Sequence, residues 1–169
     1  MNDKNTKRAI SICEWLDATV FAVVVCVIVF SLCIKIFTVN GISMEPTYYE
    51  GDRVFTTLLF LNLETGDVIV TDDNNNLNEP LIKRVIATEF QKVDIDSDSG
   101  AIYVDGALVD WPIDTTVYNL KGDISYPFYV PEGYVFAVGD NRELSLDCRY
   151  EKVGFINKRG IVGKVLFVS

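Results

Sequence analysis

Ser43 stands in Asn40-Gly41-Ile42-Ser43-Met44-Glu45-Pro46-Thr47, directly after the one long apolar run of the chain. The glycine two residues before it permits close backbone approach, and the proline three after it stops the chain continuing as helix. The hydroxyl is thereby held at the end of an extended segment, as a nucleophile requires. A serine also needs a group to take its proton. The sequence contains no histidine, which removes Ser-His-Asp triads, Cys-His dyads and His-ligated metal sites. Activation is left to lysine, a carboxylate or a chain terminus.

Nine lysines are available. Lys4 and Lys7 precede the apolar run, Lys35 sits at its exit and Lys92 adjoins a polar turn. Lys83 differs, being enclosed in Leu81-Ile82-Lys83-Arg84-Val85-Ile86. In a strand its side chain shares a face with Leu81 and Val85. An apolar wall disfavours the ammonium, so the pKa should fall from about 10.4 towards neutrality, and a neutral lysine is a competent general base. The other reading is a lysine snorkelling from an edge strand. A third cluster, Gly139-Asp140-Asn141-Arg142-Glu143-Leu144-Ser145-Leu146-Asp147-Cys148-Arg149, follows the apolar run Tyr134 to Val138 and so opens a loop, where functional residues gather. It is either a solvated turn or a polar support that orients a catalytic lysine through Arg–carboxylate pairs. A thiol nucleophile at Cys148 lacks the histidine that would activate it.

The elements that must position these groups are legible in outline. The 169 residues suit one domain of moderate size once a membrane segment is set apart. A formal charge of −9 argues against nucleic acid, whose phosphates need clustered Lys and Arg. Residues 1–17 are polar and mixed in sign, and Ala18 to Ile34 carry no charge, with Ile36 and Phe37 extending the apolar character past Lys35. The run predicts a transmembrane anchor over 18–37, with Trp15 at its entry. A cleaved signal peptide is the competing reading; the apolar region is long for one and no A-x-A site follows. Lysine and arginine before the run place residues 1–17 in the cytoplasm and 38–169 outside it. Six residues separate Phe37 from Ser43, at most roughly 20 Å when extended, so the serine lies close to the membrane.

Beyond Ser43, short β-rich runs alternate with turn residues: Arg53 to Thr57, Val68 to Val70, Leu81 to Ala87, Ala101 to Val109 around Asp105-Gly106, Tyr134 to Val138, and Ile161 to Val168. Asp72 to Glu79 reads as a turn or flexible loop, and Asp94 to Gly100 as an acidic turn. No polar segment holds a 3.6-residue period. The expected fold is mainly β, with antiparallel, partly barrel-like sheets after one N-terminal helix. No glycine-rich phosphate loop, metal-ligand spacing or aromatic-basic stripe is present.

Ser43-Met44-Glu45-Pro46-Thr47 after an N-terminal span, Gly51-Asp52, Gly66-Asp67-Val68, Lys83-Arg84 between apolar residues, and the Gly139 to Arg149 block occur together and in this order. That conjunction resembles the bacterial type I signal peptidases, membrane-anchored Ser-Lys endopeptidases whose catalytic fold is shared with SOS-repressor-type self-cleaving proteins. The resemblance runs from Ala18 to Val168. It implies Ser43 as nucleophile, Lys83 as general base, and Ser145 as the hydroxyl that orients the lysine. It implies a supporting network of Arg84, Asp140, Arg142, Asp147 and Arg149. It further implies that Met44 packs behind the nucleophile and that a substrate pocket forms near Val39, Ile42, Met44, Tyr48, Leu81 and Ile82. The implied partners are the bilayer and preproteins carrying signal peptides with small residues at the first and third positions before the cut; no cofactor, metal or nucleic acid is implied. Lysine at position 83 resembles the prokaryotic type. Three departures stand out. Gly41 replaces a serine that assists the oxyanion hole in some members, Val85 to Phe90 lacks the Gly-Pro-Gly-Asp turn of many, and Cys148 replaces a small hydroxyl residue. The competing readings are a self-cleaving serine-lysine protein of the SOS-repressor type and a membrane-tethered β-domain without catalysis.

Overall fold

A computed structural model describes residues 3–58, 62–109 and 121–169. Contacts divide the chain into two units, Met1–Lys35 and Ile36–Ser169. The first is dominated by helix α1, Asp3–Cys33. Its window Glu14–Ser31 has a mean hydropathy of 2.0 and is long and apolar enough to cross a membrane. Much of this helix is Val and Ile, indifferent helix formers in water. Where lipid is the solvent a helix is nonetheless favoured, because it satisfies every backbone polar group within one segment. The apolar stretch 18–37 is not helical to its end: Ile34–Thr38 is strand β1, so Ile36 and Phe37 belong to a sheet.

The second unit holds the expected mainly antiparallel β fold. In chain order its strands are β2 (Arg53–Thr57), β3 (Val68–Thr71), β4 (Ile82–Thr88), β5 (Lys92–Ile95), β6 (Ile102–Val104), β7 (Ala107–Leu108), β8 (Phe128–Tyr129), β9 (Tyr134–Val138), β10 (Ile156–Asn157) and β11 (Ile161–Val168). A seven-stranded sheet has the order β1-β2-β11-β3-β4-β9-β10, and a four-stranded sheet the order β7-β6-β5-β8. The register shifts at Ile161/Gly163 and Val165/Phe167 in β11 and at Val85/Ala87 in β4. Such bulges bend a strand and deepen its twist.

Side-chain alternation gives the larger sheet two buried faces. Ile69 and Val85 join Val93, Ile102, Val135 and Phe136 in the main core, which the smaller sheet covers. Val70, next along β3 and therefore facing the other way, packs with Val39 and Val54. All four residues of β3 are buried, as a strand covered on both faces requires. The β6–β7 hairpin turns at Asp105 and Gly106, with φ of 52° and 84°, the two left-handed residues of the expected tight turn. The acidic turn expected over Asp94 to Gly100 begins later. Asp94 and Ile95 lie in β5, where Val93 and Ile95 are buried while Lys92 and Asp94 face solvent.

Candidate active site

Strand β4 carries the centre. Its pairing with β3 sets Lys83 opposite Ile69 and Arg84 opposite Val68, so the two cations leave opposite faces. Lys83 is 3% exposed, and its Nζ lies 2.8 Å from Ser43 Oγ. Burial pushes its pKa below the ordinary lysine range, against the opposing pull of Asp147, Cys148 and Glu79. The fold brings this lysine and serine together across forty residues of chain.

The Ser43 loop is folded back on itself and tied to the far end of the chain. Val39 N–H donates to Asp52 O and Gly51 N–H to Val39 O, closing the loop at its base. Gly41, at φ +81°, occupies a conformation few side chains tolerate. Thr47 and Tyr48 N–H both donate to Met44 O. Asn141 then clamps the loop: its backbone N–H donates to Ser43 O at 3.0 Å, and its Nδ2 to Ile42 O at 3.1 Å. On the other face, Arg84 meets Asp140 as a two-pronged fork, Nε to Oδ1 at 2.7 Å and Nη2 to Oδ2 at 2.5 Å. Thr47 Oγ1 donates to the same carboxylate, and Arg84 Nη1 to Gly66 O. Planar fork-to-carboxylate geometry fixes orientation as well as distance, so the turn after Ser43 is locked to β4 and to the end of β9.

The loop after β9 is built around a buried ion pair. Arg149 Nε donates to Asp147 Oδ1 at 2.8 Å and Nη2 to Oδ2 at 2.9 Å, with both side chains fully enclosed. Asp147 Oδ2 also accepts from Gly139 N–H, and Arg149 Nη2 donates to the carbonyls of Arg142 and Ser145. Arg142 is buried and its pKa is lowered to about 10, by burial and then by Arg149, which leaves it cationic at neutral pH. The supporting residues Arg84, Asp140, Asp147 and Arg149 thus form two linked clamps. Ser145 is placed differently from expectation: it is buried, but its Oγ makes no hydrogen bond, so the bond that would orient Lys83 is not formed. Cys148 is buried and its thiol is pushed up to about 12 by that burial, which makes it an inert packing group.

Gly139 is a point of close backbone approach to the Ser43 loop. A Cβ there would run into Ser43 O and Ser145 Oγ. Gly139→Ala is therefore expected to cost about 1–3 kcal/mol of stability through overpacking and to displace Ser43. Thermal unfolding should register it, and a misplacement of this kind should cost at least roughly tenfold in the rate of any reaction at Ser43.

A cleft of about 440 Å³ opens beside the pair. Of the expected pocket residues, Val39, Ile42, Leu81 and Ile82 line it. Met44 and Tyr48 do not: Met44 is wholly buried behind the serine, and Tyr48 packs against Val39, Val54 and Val70. Burial raises the Tyr48 pKa, with Arg84 opposing the shift. The cleft also takes in Val54, Val70, Glu79, Leu144 and Leu146, which sequence reading missed. Leu144 and Leu146, exposed on either side of Ser145 in an otherwise polar loop, were the available signal. Among the described residues no group of His, Cys, Asp and Glu is arranged to hold a metal ion.

The model of one family, described as signal peptidase, peptidase S26, matches residues 12–169. The chain belongs to that family. Among signal peptidases, it is 30% identical to signal peptidase I of Bacillus licheniformis over 98% of this chain and 92% of the relative. It is 35% identical to signal peptidase IB of Staphylococcus aureus (strain Mu50) over 91% of this chain and 87% of the relative. A crystal structure of a signal peptidase I from Enterococcus faecalis V583 aligns with 63% of this chain and 97% of its own, with a TM-score of 0.48 and 24% identity. As a signal peptidase family member the chain is a hydrolase, a serine endopeptidase by class.

Proposed function

We propose that this peptidase removes N-terminal signal peptides from exported preproteins, with Ser43 as nucleophile and Lys83 as general base. The observation that carries the reading is the 2.8 Å contact between a buried, pKa-lowered lysine and the serine hydroxyl. Ser43 Oγ attacks the scissile carbonyl carbon while neutral Lys83 takes its proton. The Ser43 N–H stabilises the oxyanion; Gly41 offers no hydroxyl there. The tetrahedral intermediate collapses as Lys83 returns the proton to the leaving amine. Water then attacks the acyl-enzyme with Lys83 again as base, and the proton passes back to Ser43 Oγ.

The substrate would bind as an added strand. Pairing of β9 with β4 begins at Arg84 opposite Val138, so Ile82 has no β9 residue across from it. An extended peptide fits between this stretch and residues 39–42, with alternate side chains directed into the cleft. Small residues at the first and third positions before the cut suit its apolar wall of Val39, Val70 and Ile82. Helix α1 would hold the enzyme in the membrane, with residues 1–17 cytoplasmic and the β domain outside, next to preproteins whose own apolar segments are in the bilayer.

Incubating the detergent-solubilised chain with a preprotein, and weighing both products, tests the reading. Cleavage should fall after a small residue that has another small residue two positions earlier. Cleavage that survives both Ser43→Ala and Lys83→Ala would sink the serine-lysine assignment. The pH profile is a second test. Below the lowered Lys83 pKa the amine is protonated and cannot accept the serine proton, so the rate should climb with pH and level off above it. A flat profile between about pH 6 and 10 would count against Lys83 as base.

A further inference from the structure

Glu79 sits on the rim of the cleft, and the mechanism does not use it. Among the described residues lining the cleft, Glu79 and Lys83 are the only ones with ionisable side chains. The remainder are apolar or neutral: Phe37, Val39, Ile42, Leu81 and Leu146 are typical. When Lys83 is neutral, as its role requires, the one formal charge on the cleft wall is a carboxylate. Its position is held by its own backbone. Asn75 Nδ2 donates to Glu79 O at 2.6 Å, and also to Asp72 O and Thr71 Oγ1. Pro80 follows directly, with its φ restricted. The Asn-rich stretch expected to be a turn or flexible loop is thus a braced turn that presents a carboxylate.

We infer that Glu79 is a specificity determinant that favours substrates with a lysine or arginine about four to five residues before the cut. The inference rests on the proposed function, in which the peptide lies extended along Glu79 to Lys83 with its scissile carbonyl at Ser43. Glu79 stands in the turn that leads into β4, four residues before Lys83. Its side chain together with that of a lysine or arginine spans several residues' rise, so the carboxylate is in reach of a peptide residue about four to five positions from the bond. An apolar cleft with a single anionic rim group attracts a cation and repels an anion, more strongly than open solvent permits.

The test uses the full-length chain in nonionic detergent micelles. The substrates are three peptides, identical apart from Lys, Gln or Glu at the fifth position before an Ala-x-Ala cut. The wild-type enzyme should rank them Lys, then Gln, then Glu in kcat/KM. The Lys to Glu ratio should be roughly three- to tenfold, expressed mainly in KM and shrinking with added salt. Glu79→Gln should flatten the ranking and Glu79→Lys should reverse it. These readings are ratios between peptides on one enzyme, so a change in folding or in Lys83 affects all three alike and cancels. Equal ratios in wild type and Glu79→Lys overturn the inference while leaving the serine-lysine reading intact. Failure of the wild type to cut the Gln peptide at all overturns that reading and this one with it.

Discussion

Lys83→Met is expected to yield a folded protein that has lost essentially all peptidase activity. The unbranched thioether fills the space of the lysine stem against Ser43 but cannot accept a proton. Loss of a proton-accepting partner in a catalytic unit costs at least about 10³ in kcat, and Ser43→Ala should cost a similar factor. In the proposed mechanism the two act as one unit, so the double variant should be no slower than either single one. Single-turnover cleavage with excess enzyme measures this without the complication of product release. Additive losses would show that serine and lysine work independently.

The same substitution should stabilise the fold, with a defined pH dependence. Lys83 has a folded pKa below its unfolded one because burial disfavours its charge. Below the folded pKa both states are protonated, and the native state bears the whole cost of the buried ammonium. As pH rises from the folded towards the unfolded pKa, only the unfolded chain keeps its proton, so that cost disappears. Lys83→Met should therefore raise the melting temperature most in acid and progressively less towards pH 10 or so.

The largest loss of stability is expected from breaking the Asp147–Arg149 pair. Both groups are fully enclosed, and their bonds also occupy Gly139 N–H and the carbonyls of Arg142 and Ser145. Removing one partner strands the other as an uncompensated buried charge, which costs about 3–5 kcal/mol. For a chain of this length that corresponds to a fall in melting temperature of about 10 °C. Arg149→Met and Asp147→Asn should each show it in thermal unfolding. The double variant should lose less than the sum, because no charge is left unpaired. A change under about 1 kcal/mol in either single variant would mean that the pair is effectively solvated.

What could be read from the chain, and what could not, divides on physical grounds. Lys83 was legible because a charge inside an apolar strand conflicts with its neighbours, and such conflicts gather at functional sites. The Asp105-Gly106 hairpin was legible because two consecutive left-handed residues restrict the amino acids that fit. Strand β5 was hidden because its exposed Lys92 and Asp94 make a half-buried strand look like part of a polar turn. The boundary at Cys33 was hidden because Ile34 to Phe37 suit a sheet as well as a bilayer. The resemblance placed Met44 and Tyr48 at the pocket, whereas the fold buries Met44 and packs Tyr48 against the Val39, Val54 and Val70 cluster. Leu144, Leu146 and Glu79 reach the cleft only through the meeting of three distant loops, which no local pattern records. The unbonded Ser145 hydroxyl is likewise a matter of ångströms, below what residue order can convey.

Strand β11, the last of the chain, lies between β2 and β3 in the middle of the larger sheet. The β1–β2 pair is therefore joined to β3 and β4 through a strand that is distant from all of them in sequence. The contacts that assemble the centre span long distances along the polypeptide: 40 residues for Ser43 with Lys83, 93 for Thr47 with Asp140 and 99 for Asn141 with Ile42. Contacts of this kind form late and slowly, since loop closure must precede any gain from them. Without β11 in place, the loop that carries Ser43 and the strand that carries Lys83 belong to separate parts of the sheet. The meeting of serine and lysine thus depends on closure of the whole larger sheet.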